Sequence, residues 1–343
     1  MKASMYEGNQ TIKLHDCLPI EPSDHEVQLK IAYCGICGTD LHLFKGGLDY
    51  RIKKLPHVMG HECSAVIEKV GSKVTEWKPG DRVVVRPLDY CGNCVACKAG
   101  NEHVCANLKF MGIESDGAFQ NFWTVPERTL HRMPDNLSLL HGALVEPLAV
   151  CCHAVSRGMV KKGDYSVVIG GGTIGLITAL VLKYRGARVV VSEINPNRLA
   201  KLREMGLDAI DPRETDLVEY VKEQTGCDMA DNAFECSGSQ PGLDAMPWLC
   251  HPRGNAVFVA SYPHPMQYFF REHFMKEVNI IFTRVYEAKD FEEALDMMAK
   301  NAFDCDALIS EILPLGKVQE GIEKCLDPAG KVVKVMIDCQ SQE

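Results

Sequence analysis

A glycine signature set between a strand and a helix constrains this chain more than any other feature. The stretch Ser166-Val-Val-Ile-Gly170-Gly171-Gly172-Thr173-Ile174-Gly175 carries G-x-G-x-x-G between an apolar strand-like run and an apolar helical run. A lone match is weak, but this flanking pattern is the context the motif requires. Gly170 permits a tight turn, Gly172 lets a pyrophosphate approach the backbone, and Gly175 lets helix and strand pack closely. Thr173 and Ile174 open the helix, whose free N–H groups and positive dipole end suit phosphates. Eighteen positions past Gly175, at the end of the next strand-like run, stands Glu193. A carboxylate there suits the adenosine ribose hydroxyls and repels a 2′-phosphate, favouring NAD over NADP. Arg198 is a nearby guanidinium able to hold such a phosphate, so it belongs to the same candidate cofactor set. The bland alternative is a flexible surface loop, and the flanking pattern argues against it.

The glycine turn sits inside a longer alternation. Ser166–Ile169 and Arg188–Ser192 read as strands, and Thr173–Tyr184 and Asn197–Met205 as helices. Such alternation implies βαβ units around a doubly wound parallel sheet. Before about residue 150 the texture differs. Short β-type runs such as Val27–Ala32, Ser64–Val70 and Arg82–Arg86 are separated by turn signals, including Lys78-Pro79-Gly80-Asp81. That is the pattern of a compact β-rich unit. After the alternating half come an amphipathic stretch, Asp290–Lys300, and a strand-like run, Lys331–Ile337. The tail is able to return to the first unit. A chain of 343 residues suits about two domains at roughly 100–200 residues each. The expected division is an α/β Rossmann unit at 148–287 and a β-rich unit at 1–147 plus 288–343.

Sixteen cysteines are many for disulfides in a reducing compartment, and clustered ones read first as metal ligands. Cys91, Cys94, Cys97 and Cys105 follow C-x2-C-x2-C-x7-C. Four thiolates converging on one Zn²⁺ make a closed tetrahedral site, which staples a loop with little core of its own. An iron–sulfur cluster is the rival occupant. His103 lies inside this lobe and is expected to be a bystander. No apolar run of the roughly 18 residues of a membrane span is present, and the N-terminal residues lack an apolar signal core, so the cytosol is the expected compartment. A formal charge of -9 disfavours nonspecific nucleic-acid or anionic-membrane binding.

Three further segments hold metal-type ligands: Tyr33-Cys34-Gly35-Ile36-Cys37-Gly38-Thr39-Asp40-Leu41-His42, Gly60-His61-Glu62 and Glu146-Pro147-Leu148. Thiolate, imidazole and carboxylate together are a mixed donor set of the catalytic zinc type, which keeps one position open. Spacing alone leaves open that these are a packed cysteine and surface pairs.

With Lys78-Pro-Gly-Asp81-Arg82-Val83, the four-cysteine lobe and the glycine turn, these segments resemble the zinc-containing medium-chain dehydrogenases over essentially the full chain. Glu146-Pro147-Leu148 after a four-cysteine lobe resembles the polyol branch (sorbitol, iditol and butanediol dehydrogenases), with threonine dehydrogenases as neighbours. The resemblance implies a GroES-like catalytic domain, an active site in the cleft beside the Rossmann domain, and a homodimer or homotetramer. It implies Cys37 and His61 as catalytic zinc ligands, with Glu62 a ligand or exchanging carboxylate and Glu146 a carboxylate acting directly or through water. Cys34 does not match a ligand position and is expected to be packed.

The implied reaction moves a hydride from a small-molecule secondary alcohol (a polyol, sugar alcohol, inositol or diol) to NAD, giving a ketone. A zinc ion would supply Lewis-acid chemistry. Thr39 would accept the substrate proton through its hydroxyl, and His42 would pass it to solvent. Taken alone, Thr39 serves equally as the cap of a helix starting near Asp40. His42 serves equally as a surface histidine. Asp40 suits a helix start or a residue that orients a ligand. Arg284 lies where polyol-type relatives place a substrate-contacting arginine, with a solvated arginine as the alternative. The functional alternatives are oxidation of an amino alcohol such as L-threonine, and a non-catalytic NAD-binding sensor.

Overall fold

The computed structural model describes residues 1–262 and 264–341. They divide into two compact units, 1–146 with 287–328 and 332 onward, and 147–286 with 329–331.

The main sheet of the first unit is built around the strand Glu26–Gly35. Its order runs Leu130–Arg132, Arg82–Val85, Glu62–Val70, Glu26–Gly35, Lys334–Asp338, Ile309–Pro314, and Phe122–Pro126 also pairs with the central strand. Val27, Leu29 and Ile31 are fully buried on one face, while on the other Lys30 is exposed and Gln28 is buried. The sequence places this strand at Val27–Ala32, yet it continues to Gly35. The reason is tertiary. The C-terminal strand pairs antiparallel with its end, Met336 opposite Gly35 and Asp338 opposite Tyr33. That C-terminal strand starts at Lys334 and not at the expected Lys331, because residues 329–331 belong to the second unit.

The second unit holds a six-stranded, wholly parallel sheet. Its order is Asp208–Ile210, Arg188–Ser192, Tyr165–Ile169, Ala230–Glu235, Cys250–Phe258, Asn279–Phe282. Strand order 3-2-1-4-5-6 is the doubly wound arrangement, with its switch point beside the first strand. Tyr165–Ile169 is buried at every position, as a central strand covered on both faces must be. Thr173–Tyr184 forms the helix read from sequence and is buried from Gly175 to Leu182. The next helix, Pro196–Glu204, starts where Asn195 accepts the amides of Asn197 and Arg198 at 2.9 and 3.1 Å. Among the described residues no helix is long and apolar enough to cross a membrane.

Candidate metal centres and cofactor turn

The four cysteines of the first unit converge. Cys94 Sγ lies 3.5 Å from Cys97 Sγ and 3.8 Å from Cys105 Sγ, and Cys105 Sγ lies 3.4 Å from Cys91 Sγ. A disulfide would need about 2.05 Å. Four thiolates about 2.3 Å from one zinc stand about 3.8 Å apart, close to what is seen. An iron–sulfur cluster interposes its own atoms between the thiolates and needs a wider ring. The backbone N–H groups of Asn93 and Cys94 pull the Cys91 thiol down to about 6, and those of Cys97 and Ala106 lower Cys94. Cys91 and Cys94 are thereby favoured as thiolates, whereas desolvation and the neighbouring thiols raise Cys97 to about 12. His103 is buried beside them and is not one of the four.

The second set also comes together. Ligand atoms of Cys37, His61 and Glu62 all lie within 4.8 Å of one another. Cys37 ends the approach from the central strand and caps the short helix Gly38–Phe44. Its Sγ accepts the Thr39 amide at 3.5 Å, and its own amide donates to Asp40 Oδ2 at 2.9 Å. The capping role that sequence allowed Thr39 thus belongs to Cys37, and Thr39 sits inside the first turn, half-buried. His42 is exposed, one turn further along the same face. His61 is almost fully buried and its ring meets Phe110 edge-on at 4.9 Å. Its Nδ1 has no hydrogen-bond partner and stands 3.8 Å from Asp40 Oδ1. Burial alone would lower the imidazole, but the charges of Cys37, Asp40 and Glu146 raise it to about 10. Burial pushes the Cys37 thiol up. A half-buried thiol crowded against a buried imidazole and a buried carboxylate is a donor set that fits a cation.

Glu146 is buried in the first turn of the helix Val145–Arg157, and its charge acts on His61 and Lys334. Cys34 is fully buried and not in the ligand group. Sequence reading missed Lys334, whose ammonium reaches Glu62 Oε1 at 2.8 Å and Oε2 at 2.6 Å. The available signal was a lysine in an otherwise apolar strand.

In the second unit the three signature glycines differ physically. Gly170 has φ +94°, which a side chain rarely adopts. A Cβ on Gly175 would fall 1.8 Å from the Gly170 carbonyl oxygen. At Gly172 the same Cβ would find only Arg198 Nη1, at 3.9 Å. That is open room above the first turn of the helix Thr173–Tyr184, the end at which a helix presents its leading amides. Glu193 is buried at the end of Arg188–Ser192, with Oε2 accepting Gly171 N–H at 2.6 Å and Oε1 accepting Asn195 N–H at 2.7 Å. An anion-ready turn beside a fixed carboxylate fits a dinucleotide. Arg284 is exposed, two residues beyond the strand Asn279–Phe282.

Comparison with known proteins matches residues 23–135 to the alcohol dehydrogenase GroES-like domain and residues 173–300 to the zinc-binding dehydrogenase domain. The chain belongs to the zinc-binding alcohol dehydrogenase family. Within it the chain is similar to a 2-dehydro-3-deoxy-L-galactonate 5-dehydrogenase from Pseudoalteromonas atlantica, 41% identical over 100% of both chains. It is 32% identical to an (R,R)-butanediol dehydrogenase from Neisseria gonorrhoeae, over 98% of this chain and 99% of the relative. Among solved structures, a zinc-binding dehydrogenase from Sinorhizobium meliloti 1021 bound to NADP superposes with TM-score 0.91, 29% identity and 98% coverage of both chains. This family member is a zinc-containing polyol-type alcohol dehydrogenase.

Proposed function

We propose that this dehydrogenase oxidises a secondary hydroxyl on an open-chain sugar acid or related polyol to a ketone, with NAD as hydride acceptor. Full-length 41% identity to a dehydrogenase acting on a deoxy sugar acid carries this reading. NAD is preferred over NADP because the Glu193 carboxylate is buried and held by two amides, so it opposes a 2′-phosphate from a fixed position. Cys37, His61 and a glutamate, Glu146 or Glu62, hold the catalytic zinc, while Cys91, Cys94, Cys97 and Cys105 hold the structural one. When bound, the catalytic ion supplies Lewis-acid chemistry to the substrate oxygen. Thr39 takes the substrate proton and His42, one helical turn on and exposed, releases it to water. Asp40 orients both ligand-bearing segments.

The test is reduction of NAD⁺ and, in parallel, NADP⁺ by purified enzyme offered galactonate-type sugar acids, sorbitol, inositols, butanediol and threonine. Turnover of a sugar acid with NAD⁺, abolished by chelation, supports the proposal. Turnover of the diol or of threonine alone would reject the substrate class. Preference for NADP⁺ would reject the role of Glu193.

A further inference from the structure

We propose that Glu114 is a positioning residue: it closes the turn 110–114, whose Phe110 ring sets the plane of the His61 imidazole, and Arg51 fastens it there. The inference rests on the reading that Cys37 and His61 hold the catalytic metal.

The turn is closed on itself by one side chain. The amides of Ile113 and Glu114 both donate to the Phe110 carbonyl, at 3.1 and 3.0 Å. The Glu114 carboxylate reaches back and accepts the Phe110 amide at 2.7 Å. Both polar backbone groups of Phe110 are thereby held, and with them the direction of its ring. Gly112 makes the bend, at φ +93°. It also lets the turn lie directly against the ligand segment. A Cβ there would fall 2.6 Å from the Gly60 carbonyl oxygen and 3.3 Å from His61 Cβ.

His61 needs such a wall. Its Nδ1 has no hydrogen-bond partner among the described residues, and Asp40 at 3.8 Å attracts it without directing it as a hydrogen bond would. The buried Phe110 ring meets the imidazole edge-on, with centroids 4.9 Å apart and planes at 81°. Turning the imidazole would break that contact or drive the ring into Phe110.

Arg51 donates through Nε to Glu114 Oε1 at 2.6 Å and brings Nη2 to the same oxygen, which leaves Oε2 to the Phe110 amide. Arg51 ends the short 3-10 turn Asp49–Arg51, which follows the helix Gly38–Phe44 that carries Thr39 and His42. One carboxylate therefore joins that stretch to the wall of His61.

Cobalt exchanged into the Cys37 site, with zinc kept in the four-cysteine lobe, is released to a chelator at a rate read from its visible absorbance. Glu114→Ala is expected to release it about tenfold faster, the low end of what groups orienting a metal ligand contribute, and to lower kcat with KM for NAD⁺ unchanged. Glu114→Gln keeps an acceptor for the Phe110 amide and Arg51→Lys keeps the ion pair, so both are expected to stay near the wild-type rate. Phe110→Leu is expected to match Glu114→Ala, and the double variant to release no faster than either, because both act through one contact. A lowered melting temperature with wild-type release and kcat in Glu114→Ala overturns the proposal, and so do effects that multiply in the double variant. If Glu114→Ala does not fold, unchanged release from Phe110→Leu overturns it equally. Cobalt bound as well by Cys37→Ser means that the metal lies elsewhere, and both readings fall. Binding lost in Cys37→Ser, with release indifferent to Glu114→Ala and Phe110→Leu, defeats this inference alone.

Discussion

The Asp40 carboxylate accepts the backbone N–H of Cys37 at 2.9 Å. Its other oxygen faces the Gly60 amide at 3.3 Å and His61 Nδ1 at 3.8 Å. One buried side chain thus ties together the two segments that deliver thiolate and imidazole. Partners of this kind typically contribute 10–100-fold to metal affinity. Asp40→Ala should weaken zinc at the Cys37 site by roughly that factor, measured by competition with a chromophoric chelator, while the four-cysteine lobe keeps its ion. Equal retention at both sites would show that Asp40 does not orient the ligands.

The signature glycines should separate folding from binding. Gly175→Ala forces a Cβ against the Gly170 carbonyl and should cost about 1–3 kcal/mol or more of stability. Gly172→Ala meets open space, so its melting temperature should match wild type. Its dinucleotide affinity should fall about tenfold or more, seen by titration of protein fluorescence. A Gly172→Ala variant that binds NAD normally would remove the pyrophosphate from this turn.

Glu193→Ser removes the carboxylate and leaves Arg198 beside the turn. The NADP-to-NAD ratio of kcat/KM should then rise roughly 10–100-fold, since a like charge no longer opposes the 2′-phosphate. Glu193 also holds the Gly171 and Asn195 amides. Melting temperature should be followed alongside, so that a general loosening of the turn is not taken for a switch of preference. An unchanged ratio would place the discrimination elsewhere.

Cys94→Ser opens the lobe. Total zinc should drop by one ion per chain, and a loss of a few kcal/mol should lower the melting temperature by roughly 5–10 °C. Full zinc content in the variant would contradict a four-thiolate site.

His273 supplies a pH signature. Burial, reinforced by Lys276, lowers its pKa to about 4. Its Nε2 meets the Tyr268 hydroxyl and its ring stacks on Tyr268 at 5.6 Å. The unfolded chain takes up this proton near pH 6.5, before the folded one does. The stability it contributes is therefore complete above about pH 6.5 and lost as pH falls from there to about 4. Denaturant unfolding at pH 7 and pH 5 should show this loss, and His273→Phe should reduce it. An equal loss in the variant would assign the slope to other groups.

Local chemistry made much of the molecule legible. The helix Thr173–Tyr184 and the strand Arg188–Ser192 have the bounds that periodicity gives them, because apolar runs with glycine punctuation leave little choice. The helix expected over Asp290–Lys300 begins at Ala288, because Glu287 and Asp290 form a capping box. The four-cysteine spacing brings its thiols together because tight turns within fifteen residues leave them nowhere else to point.

What the sequence by itself determined was therefore short-range: the glycine turn, the cysteine lobe, the alternation of strand and helix, and the donor types available to a metal. Tertiary structure alone decided which groups meet. Lys334 lies 272 residues from Glu62, and only the return of the tail to the central strand sets them across Gly35. Asp40 reaches Gly60 and His61 only because strand pairing brings the two loops together. A pattern in sequence specifies the face a residue presents. Pairing register, fixed by burial of the whole sheet, specifies what that face touches.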